Sequence, residues 1–174
     1  MAVRWHQDNP FWYSLEGTDL VSVWLAIDDA DAANGVMSVI PESHAGFSAM
    51  DRTETDGSDF LGLKVDLSEE MEGRAVCLEM TAGSMSIHDS FLVHGSEMNT
   101  SGRRRGAYTI RYANPLTLKI DFHRHWVPVF LVRGEGGPSE DRLIDIRPGR
   151  PLPESLSGQI WLEPNPVARA RLSR

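Results

Sequence analysis

A histidine and an aspartate with the spacing of metal ligands stand near the start of the chain. His6 and Asp8 are separated by one residue, Gln7. In an extended strand, residues two apart point to the same side, about 6.5–7 Å apart along the chain. The side chains of His6 and Asp8 can therefore approach one metal ion, with Gln7 turned away. A second histidine, His94, stands far downstream and is followed by a glycine.

Two imidazoles and one carboxylate make up the facial triad that holds non-haem Fe(II) and leaves other coordination positions open. The pattern His-x-Asp is short and also arises by chance, and a histidine beside a glycine is commonly an ordinary turn residue. Spacing alone therefore leaves two interpretations open for His6, Asp8 and His94: metal ligands, or structural residues. Another histidine, His88, lies six positions before His94 and is a competing candidate ligand.

An arginine cluster follows His94 and favours the metal interpretation. Arg103, Arg104 and Arg105 precede the apolar stretch 107–112, which has the composition of a strand. An arginine at the start of a strand and beside a metal can bind a carboxylate through two parallel hydrogen bonds. For Arg103 and Arg104, an ordinary solvated position is the better explanation.

The elements that position these residues are predicted to be short strands joined by turns. Residues 20–27 are rich in β-branched side chains, and Asn34-Gly35 is a turn signal before a second apolar run. We expect a hairpin from the two runs that flank Ala82-Gly83. The predicted strands are 20–27, 36–40, 76–80, 84–88, 107–112 and 127–132. No segment of helical period and length stands out, so the pattern predicts a β-sandwich or barrel.

Two further segments are defined by charge. Residues 51–72 carry eight acidic side chains and are predicted to form a solvated loop with at most one short helical turn. Residues 147–174 are rich in proline and arginine and are predicted to be an extended segment after a domain of residues 1–146.

Composition narrows the classes of partner. The 174 residues match the length of one domain, and the net charge is −8, from 17 basic and 25 acidic residues. An acidic balance argues against a general nucleic-acid binder, and the apolar runs are too short for a membrane span. The single cysteine, Cys77, favours a reducing setting, so we expect a cytoplasmic protein with a small-molecule substrate.

Taken in order, these segments resemble one family. The matching segments are His6-Gln7-Asp8, residues 24–29, Asn34-Gly35, residues 40–44, Ala82-Gly83-Ser84 and His94-Gly95-Ser96 with its downstream arginine. Over about residues 5–113 the chain resembles the phytanoyl-CoA dioxygenase family of Fe(II)- and 2-oxoglutarate-dependent oxygenases, to which the ectoine hydroxylases belong. The resemblance implies a double-stranded β-helix, also called a jelly-roll or cupin-like barrel.

The resemblance also implies roles for individual residues. His6, Asp8 and His94 match the iron ligands, and Arg105, eleven positions after His94, matches the arginine that pairs with the distal carboxylate of 2-oxoglutarate. Ser22 matches a second polar contact to that carboxylate. The implied cofactors are Fe(II), 2-oxoglutarate as cosubstrate and molecular oxygen. An aspartate rather than a small residue at position 8 favours hydroxylation over halogenation.

The family has a sizeable region before its His-x-Asp motif, and here His6 is almost the first residue. We therefore expect a barrel that is incomplete at its N-terminus, in which the strand containing Ser22 and Trp24 lacks a neighbour on one side. Such an edge predicts poor solubility or association, and weak turnover. The alternatives are a non-catalytic cupin-like binding protein, an inactive fragment, or a hydrolytic or isomerising metal enzyme. Arg105 favours the oxygenase over the hydrolase.

Overall fold

The computed structural model describes residues 2–57, 59–123 and 126–150 and is built mainly of strands. One short helix, Glu69–Glu72 (α1), and three 3-10 turns, Asn9–Phe11, Ala32–Asn34 and Gly137–Arg142, complete the regular structure of this part of the chain. The strands are Val3–His6 (β1), Leu15–Glu16 (β2), Leu20–Ala26 (β3), Met37–Val39 (β4), Arg52–Glu54 (β5), Leu63–Val65 (β6), Val76–Cys77 (β7), Met85–Asp89 (β8), His94–Ser96 (β9), Ala107–Ala113 (β10), Lys119–Ile120 (β11), Phe130–Leu131 (β12) and Ile144–Asp145 (β13).

Two antiparallel sheets form the body of the protein. One has the strand order β1-β9-β4-β7 and the other the order β10-β3-β8. A buried cluster joins them, with Trp24 and Ala26 from β3 packed together with Met37 and Val39 from β4. The mainly β, two-sheet arrangement agrees with the predicted jelly-roll.

The pleat of β3 decides which side chains face the second sheet. Ser22 and Trp24 are both buried and share one face, because successive residues of a strand alternate. Register places Arg111 of β10 and His88 of β8 on either side of Ser22. These three polar side chains form a row across the three-stranded sheet, which we call the polar row.

Two expectations about pairing are wrong. Residues 76–80 and 84–88 do not form a hairpin, because β7 pairs with β4 in one sheet and β8 pairs with β3 in the other. The intervening chain instead bonds across the core, from Leu78 to Met37 and between Met80 and Ala30. Burial of these apolar side chains against the core outweighs the local turn signal.

The strand that contains Ser22 and Trp24 also differs from expectation, since β3 has a partner on both sides, β10 and β8. Within the described residues, the strands of this sheet that have one partner are β10 and β8, and the register of β10 with β3 runs through all seven of its residues. The position of the open edge was therefore predicted on the wrong strand.

The acidic segment 51–72 is more ordered than predicted. It contains the hairpin of β5 and β6 as well as the expected short helix α1, which Ser68 caps by accepting a hydrogen bond from the Met71 amide. Asp59 is buried and accepts from the Leu61 and Gly62 amides at 2.7 and 2.8 Å. Ala2 forms a parallel bridge with Asp59, which fixes this segment against the start of β1.

The remaining predicted elements have mixed outcomes. The strands at 20–27, 36–40 and 107–112 are observed as β3, β4 and β10, whereas 127–132 is reduced to the two residues of β12. Residues 151–174 of the predicted extended segment lie outside the described residues, and the boundary after residue 146 stays a prediction. In the described part of the chain, no helix has the length and apolar character needed to cross a membrane.

Candidate metal centre and ligand cavity

The three predicted ligands converge at one end of the two sheets. His6 ends β1 and pairs in register with His94, the first residue of β9. Their imidazole ring centres are 4.1 Å apart. The Nε2 atoms of His6 and His94 lie 3.8 and 3.9 Å from the same oxygen of Asp8, Oδ1. All three residues are buried, and one donor atom from each lies within 4.8 Å of the other two.

Backbone carbonyls fix the orientation of both imidazoles. The Nδ1 atom of His6 lies 2.8 Å from the carbonyl of Arg4, and that of His94 lies 2.9 Å from the carbonyl of Leu92. A carbonyl only accepts, so each Nδ1 must carry the hydrogen in these bonds. The Nε2 lone pairs are then free and directed toward Asp8, which is the form that binds a metal.

The second oxygen of Asp8 is held by the polar row. The Ser22 hydroxyl donates a hydrogen bond to Asp8 Oδ2, and the Nη2 atom of Arg111 lies 3.6 Å from the same oxygen. With Oδ2 engaged, Oδ1 is the oxygen that faces the two Nε2 atoms. The side chains around Asp8 therefore favour binding of a metal through one carboxylate oxygen.

The protonation states suit a cationic ligand. Burial, reinforced by the neighbouring charge of His94, lowers the pKa of His6 from 6.5 to about 4, and burial likewise lowers the pKa of His94. Burial alone would raise the pKa of Asp8, but His94, the Ser22 hydroxyl and Arg111 together hold it below its usual value. At neutral pH the centre is two neutral imidazoles and a carboxylate, which is the donor set of the non-haem Fe(II) triad.

Gly95 allows the two ligand strands to approach. A Cβ atom at this position would lie 2.9 Å from the carbonyl oxygen of Val3 and 3.2 Å from the amide nitrogen of Trp5. Both contacts are with the backbone of β1, which cannot move without shifting His6. The absence of a side chain at Gly95 thus sets the distance between the strands that carry His6 and His94.

A cavity of about 270 Å³ opens beside the three ligands. Its polar wall includes the polar row, and its other walls include Trp24, Met37 and Leu61. Arg105 also lines the cavity, with its guanidinium carbon 5.7 Å from the centre of the Trp24 ring. A cation, a metal-binding triad and an apolar wall around one space suit a small organic acid with an apolar part.

The three consecutive arginines have different surroundings, as expected. Arg103 pairs with Asp31 at 2.6 Å and Arg104 with Asp28 at 2.7 Å, and both arginines are exposed. Arg105 is half-buried, and burial lowers its pKa. Among these three, Arg105 is the one whose side chain lines the cavity.

The structure gives Ser22 a contact that the sequence did not predict. Its hydroxyl donates a hydrogen bond to Asp8, and its contact with the distal carboxylate of 2-oxoglutarate stays a prediction. The contact of Arg111 with Asp8 was not predicted from the sequence. His88, the competing candidate ligand, does not belong to the group of donor atoms formed by His6, Asp8 and His94.

The acidic segment contributes to the cavity wall, since Phe60 and Leu61 line it. His123 is exposed and lies outside the cavity wall, and residues 124 and 125 are outside the described residues. Residues 127–133 instead line a separate apolar groove along β10.

A two-sheet jelly-roll that holds two histidines and one carboxylate beside a ligand cavity is the architecture of the cupin-like non-haem iron oxygenases. Solved structures of such proteins share the fold. The apo form of the non-haem monooxygenase ThoJ matches 88% of this chain and 52% of its own, with a TM-score of 0.64 and 22% identity. EvdO2 from Micromonospora carbonacea var. aurantiaca, complexed with 2-oxoglutarate, matches 64% of this chain and 44% of its own, with a TM-score of 0.55 and 24% identity.

The family model of phytanoyl-CoA dioxygenase (PhyH) matches residues 1–107, and the chain belongs to this family. A phytanoyl-CoA dioxygenase domain-containing protein 1 homolog of Caenorhabditis briggsae is 35% identical over 114 residues, which cover 63% of this chain and 40% of that protein. The L-proline trans-4-hydroxylase of Streptomyces griseoviridis is 30% identical over 130 residues, covering 64% and 48%. The chain therefore spans less than half the length of these curated relatives.

Proposed function

We propose that this chain acts as an Fe(II)- and 2-oxoglutarate-dependent dioxygenase that hydroxylates a small organic substrate, with release of succinate and carbon dioxide. The observation that carries the proposal is the convergence of His6, Asp8 and His94 on one point of a cavity that also contains the side chain of Arg105. Membership of the phytanoyl-CoA dioxygenase family supports this kind of reaction.

The donor set fits Fe(II), because one donor atom from each of the three residues lies within 4.8 Å of the other two. Hydrogen bonds to the Nδ1 atoms of the imidazoles and to Oδ2 of the carboxylate hold the three side chains in place. We assign the iron to His6, Asp8 and His94. When bound, Fe(II) with 2-oxoglutarate and molecular oxygen supplies the oxidant that hydroxylates a carbon. The chain contributes the positions of the reactants and a partly enclosed cavity.

Arg105 is assigned to the distal carboxylate of 2-oxoglutarate. Its planar guanidinium can form two parallel hydrogen bonds with a carboxylate, a geometry that lysine cannot reproduce. Trp24 lies against the guanidinium and limits its movement, since a cation over an aromatic face is attracted to it. A hydrolase acting through the same triad has no need of this arginine, so its place in the cavity favours the oxygenase.

Ser22 and Arg111 are assigned to the positioning of Asp8. Both contact Oδ2 and leave Oδ1 toward the imidazoles. They are positioning residues, since they act on the metal through the carboxylate. Groups of this kind commonly change metal affinity or activity by 10–100-fold when they are removed.

The experiment that tests the proposed function measures succinate. The purified chain is incubated in air with Fe(II), ascorbate and 2-oxoglutarate, alone or with L-proline or phytanoyl-CoA, the compounds in the names of its relatives. Succinate above the level of the His94→Ala variant supports the oxygenase. Equal succinate from both proteins, together with stoichiometric metal binding by the wild type, would favour the non-catalytic binding protein instead.

A further inference from the structure

His88 is a buried histidine whose imidazole has no hydrogen-bond partner among the described residues. Its relative exposure is 8%, and neither Nδ1 nor Nε2 is accessible or bonded. The residue lines the ligand cavity, and its ring centre is 4.8 Å from that of His94. His6 and His94, by contrast, each bond a backbone carbonyl through Nδ1.

An unpaired imidazole in this position needs a partner that the folded chain itself does not supply. Most buried polar side-chain atoms are paired, and a buried donor without an acceptor destabilises the folded state. If this position served packing alone, phenylalanine would fill a similar space without burying a polar atom. A histidine at the cavity wall therefore indicates a bound molecule that pairs with it.

The polar row identifies the chemistry of that molecule. Cross-strand register places His88, Ser22 and Arg111 side by side beneath the triad. The hydroxyl of Ser22 and the guanidinium of Arg111 already engage Asp8 Oδ2. The side chain of His88 is the member of the row with an unused donor, and it stands on the side of His94. A donor beside the metal ligands suits an anionic oxygen, above all a carboxylate.

Arg105 serves a different part of the cavity. It lies over Trp24, which is two residues along β3 from Ser22 and faces the same way, about 7 Å further along the strand. A dicarboxylic acid can thus have one end at Arg105 and the other near the triad and His88. This arrangement gives the two carboxylates of one ligand separate partners.

We propose that His88 is a cosubstrate-binding residue: its imidazole nitrogens are buried in this structure, the ring turns toward the cavity when 2-oxoglutarate binds, and one N–H then donates a hydrogen bond to the carboxylate at the metal end. The inference rests on the proposed function. It adds a contact with 2-oxoglutarate that neither the triad nor Arg105 provides. It takes His88 to be a ligand-binding side chain and leaves the metal to His6, Asp8 and His94.

The test uses 2-oxoglutarate and succinic semialdehyde as probes, with binding measured by isothermal titration calorimetry on the Mn(II)-loaded chain. Succinic semialdehyde keeps the distal carboxylate and the carbonyl of 2-oxoglutarate but lacks the carboxylate at the metal end. The variants are His88→Phe, which retains a ring without a donor, and His88→Asn, which retains a donor. His123→Phe is the matched control, because His123 is exposed and outside the cavity wall.

We expect the Kd of 2-oxoglutarate to rise about tenfold or more in His88→Phe, as for loss of one hydrogen bond to a charged group. Affinity should recover in part in His88→Asn and stay unchanged in His123→Phe. Binding of succinic semialdehyde should change much less in His88→Phe. The Mn(II) affinity should stay within about threefold of wild type, since His88 makes no hydrogen bond to a metal ligand and loss of such a contact commonly costs about 10–100-fold.

An unchanged Kd of 2-oxoglutarate in a folded His88→Phe protein overturns the inference alone. An equal loss for 2-oxoglutarate and succinic semialdehyde overturns it as well, since it would place the contact away from the carboxylate at the metal end. If the wild-type chain binds Mn(II) but not 2-oxoglutarate, the proposed function fails and the inference fails with it.

Discussion

Replacing Ser22 with alanine should weaken metal binding without touching a metal ligand. The Ser22 hydroxyl donates to Asp8 Oδ2, and Asp8 is about nine-tenths buried, with 7% relative exposure. A hydrogen bond to a buried charged group is worth about 1.5–3 kcal/mol. Arg111 still contacts the same oxygen at 3.6 Å and keeps part of the orientation. We therefore expect the lower end of this range, or about a tenfold loss of affinity.

The loss should grow at acidic pH. The Ser22 hydrogen bond helps to hold the pKa of Asp8 below its usual value, so its removal raises that pKa. A carboxyl group with a higher pKa is protonated earlier as the pH falls, and a protonated Asp8 no longer binds the metal well. The ratio of wild-type to variant affinity should thus be larger at pH 5 than at pH 7.

The assay is equilibrium dialysis of Mn(II) at both pH values, with thermal unfolding as a check on folding. Ser86→Ala is the matched control. Ser86 lies on the same inner face of the three-stranded sheet, paired with Trp24, and its buried hydroxyl has no partner in the described part of the structure. Equal Mn(II) affinity in wild type, Ser22→Ala and Ser86→Ala would refute the view that the polar row positions Asp8.

Three further predictions concern other parts of the site. Arg105→Lys should raise the Kd of 2-oxoglutarate by at least about tenfold while Mn(II) affinity is retained, because lysine lacks the forked donor geometry; calorimetry showing an unchanged Kd would contradict the assignment. Gly95→Ala should push β1 away from β9, since its Cβ would lie 2.9 Å from the Val3 carbonyl, and should lower both the thermal midpoint and Mn(II) affinity; equal values in both measurements would show that the strands tolerate the methyl group. The metal-free chain should lose stability as the pH falls from about 6.5 to about 4, because the pKa of His6 is lowered to about 4 in the folded state and the neutral form is favoured there. The pKa shift of His6 alone limits this loss of unfolding free energy to roughly 3 kcal/mol. A thermal midpoint that stays constant across this pH interval would contradict the prediction.

The sequence predicted the part of the site that depends on local spacing. The spacing of His6 and Asp8 pointed to the pair correctly, but β1 ends at His6 and Asp8 has helical backbone angles before the turn Asn9–Phe11, so the two side chains converge without the extended pleat that the prediction assumed. The family resemblance singled out Arg105 by its position eleven residues after His94. The acidic partners that hold Arg103 and Arg104 outside the cavity, Asp31 and Asp28, became known only from the structure.

The rest of the site depends on register between distant strands, which spacing does not reveal. Arg111 and His88 come together with Ser22 because β10 and β8 flank β3 in one register. A shift of one residue would turn both side chains to the other face. The same limit explains the wrong hairpin, since the turn at Ala82-Gly83 joins strands of two different sheets.

The most direct test of the central claim is the metal content of single-ligand variants. The wild-type chain, the alanine variants of His6, Asp8 and His94, and a His123→Ala control are dialysed against Fe(II) without oxygen and analysed for iron and protein. We expect one iron per chain in wild type and the control, and at least about a tenfold loss of affinity in each of the three ligand variants. Retention of one iron per chain at unchanged affinity in a folded His94→Ala protein would contradict it.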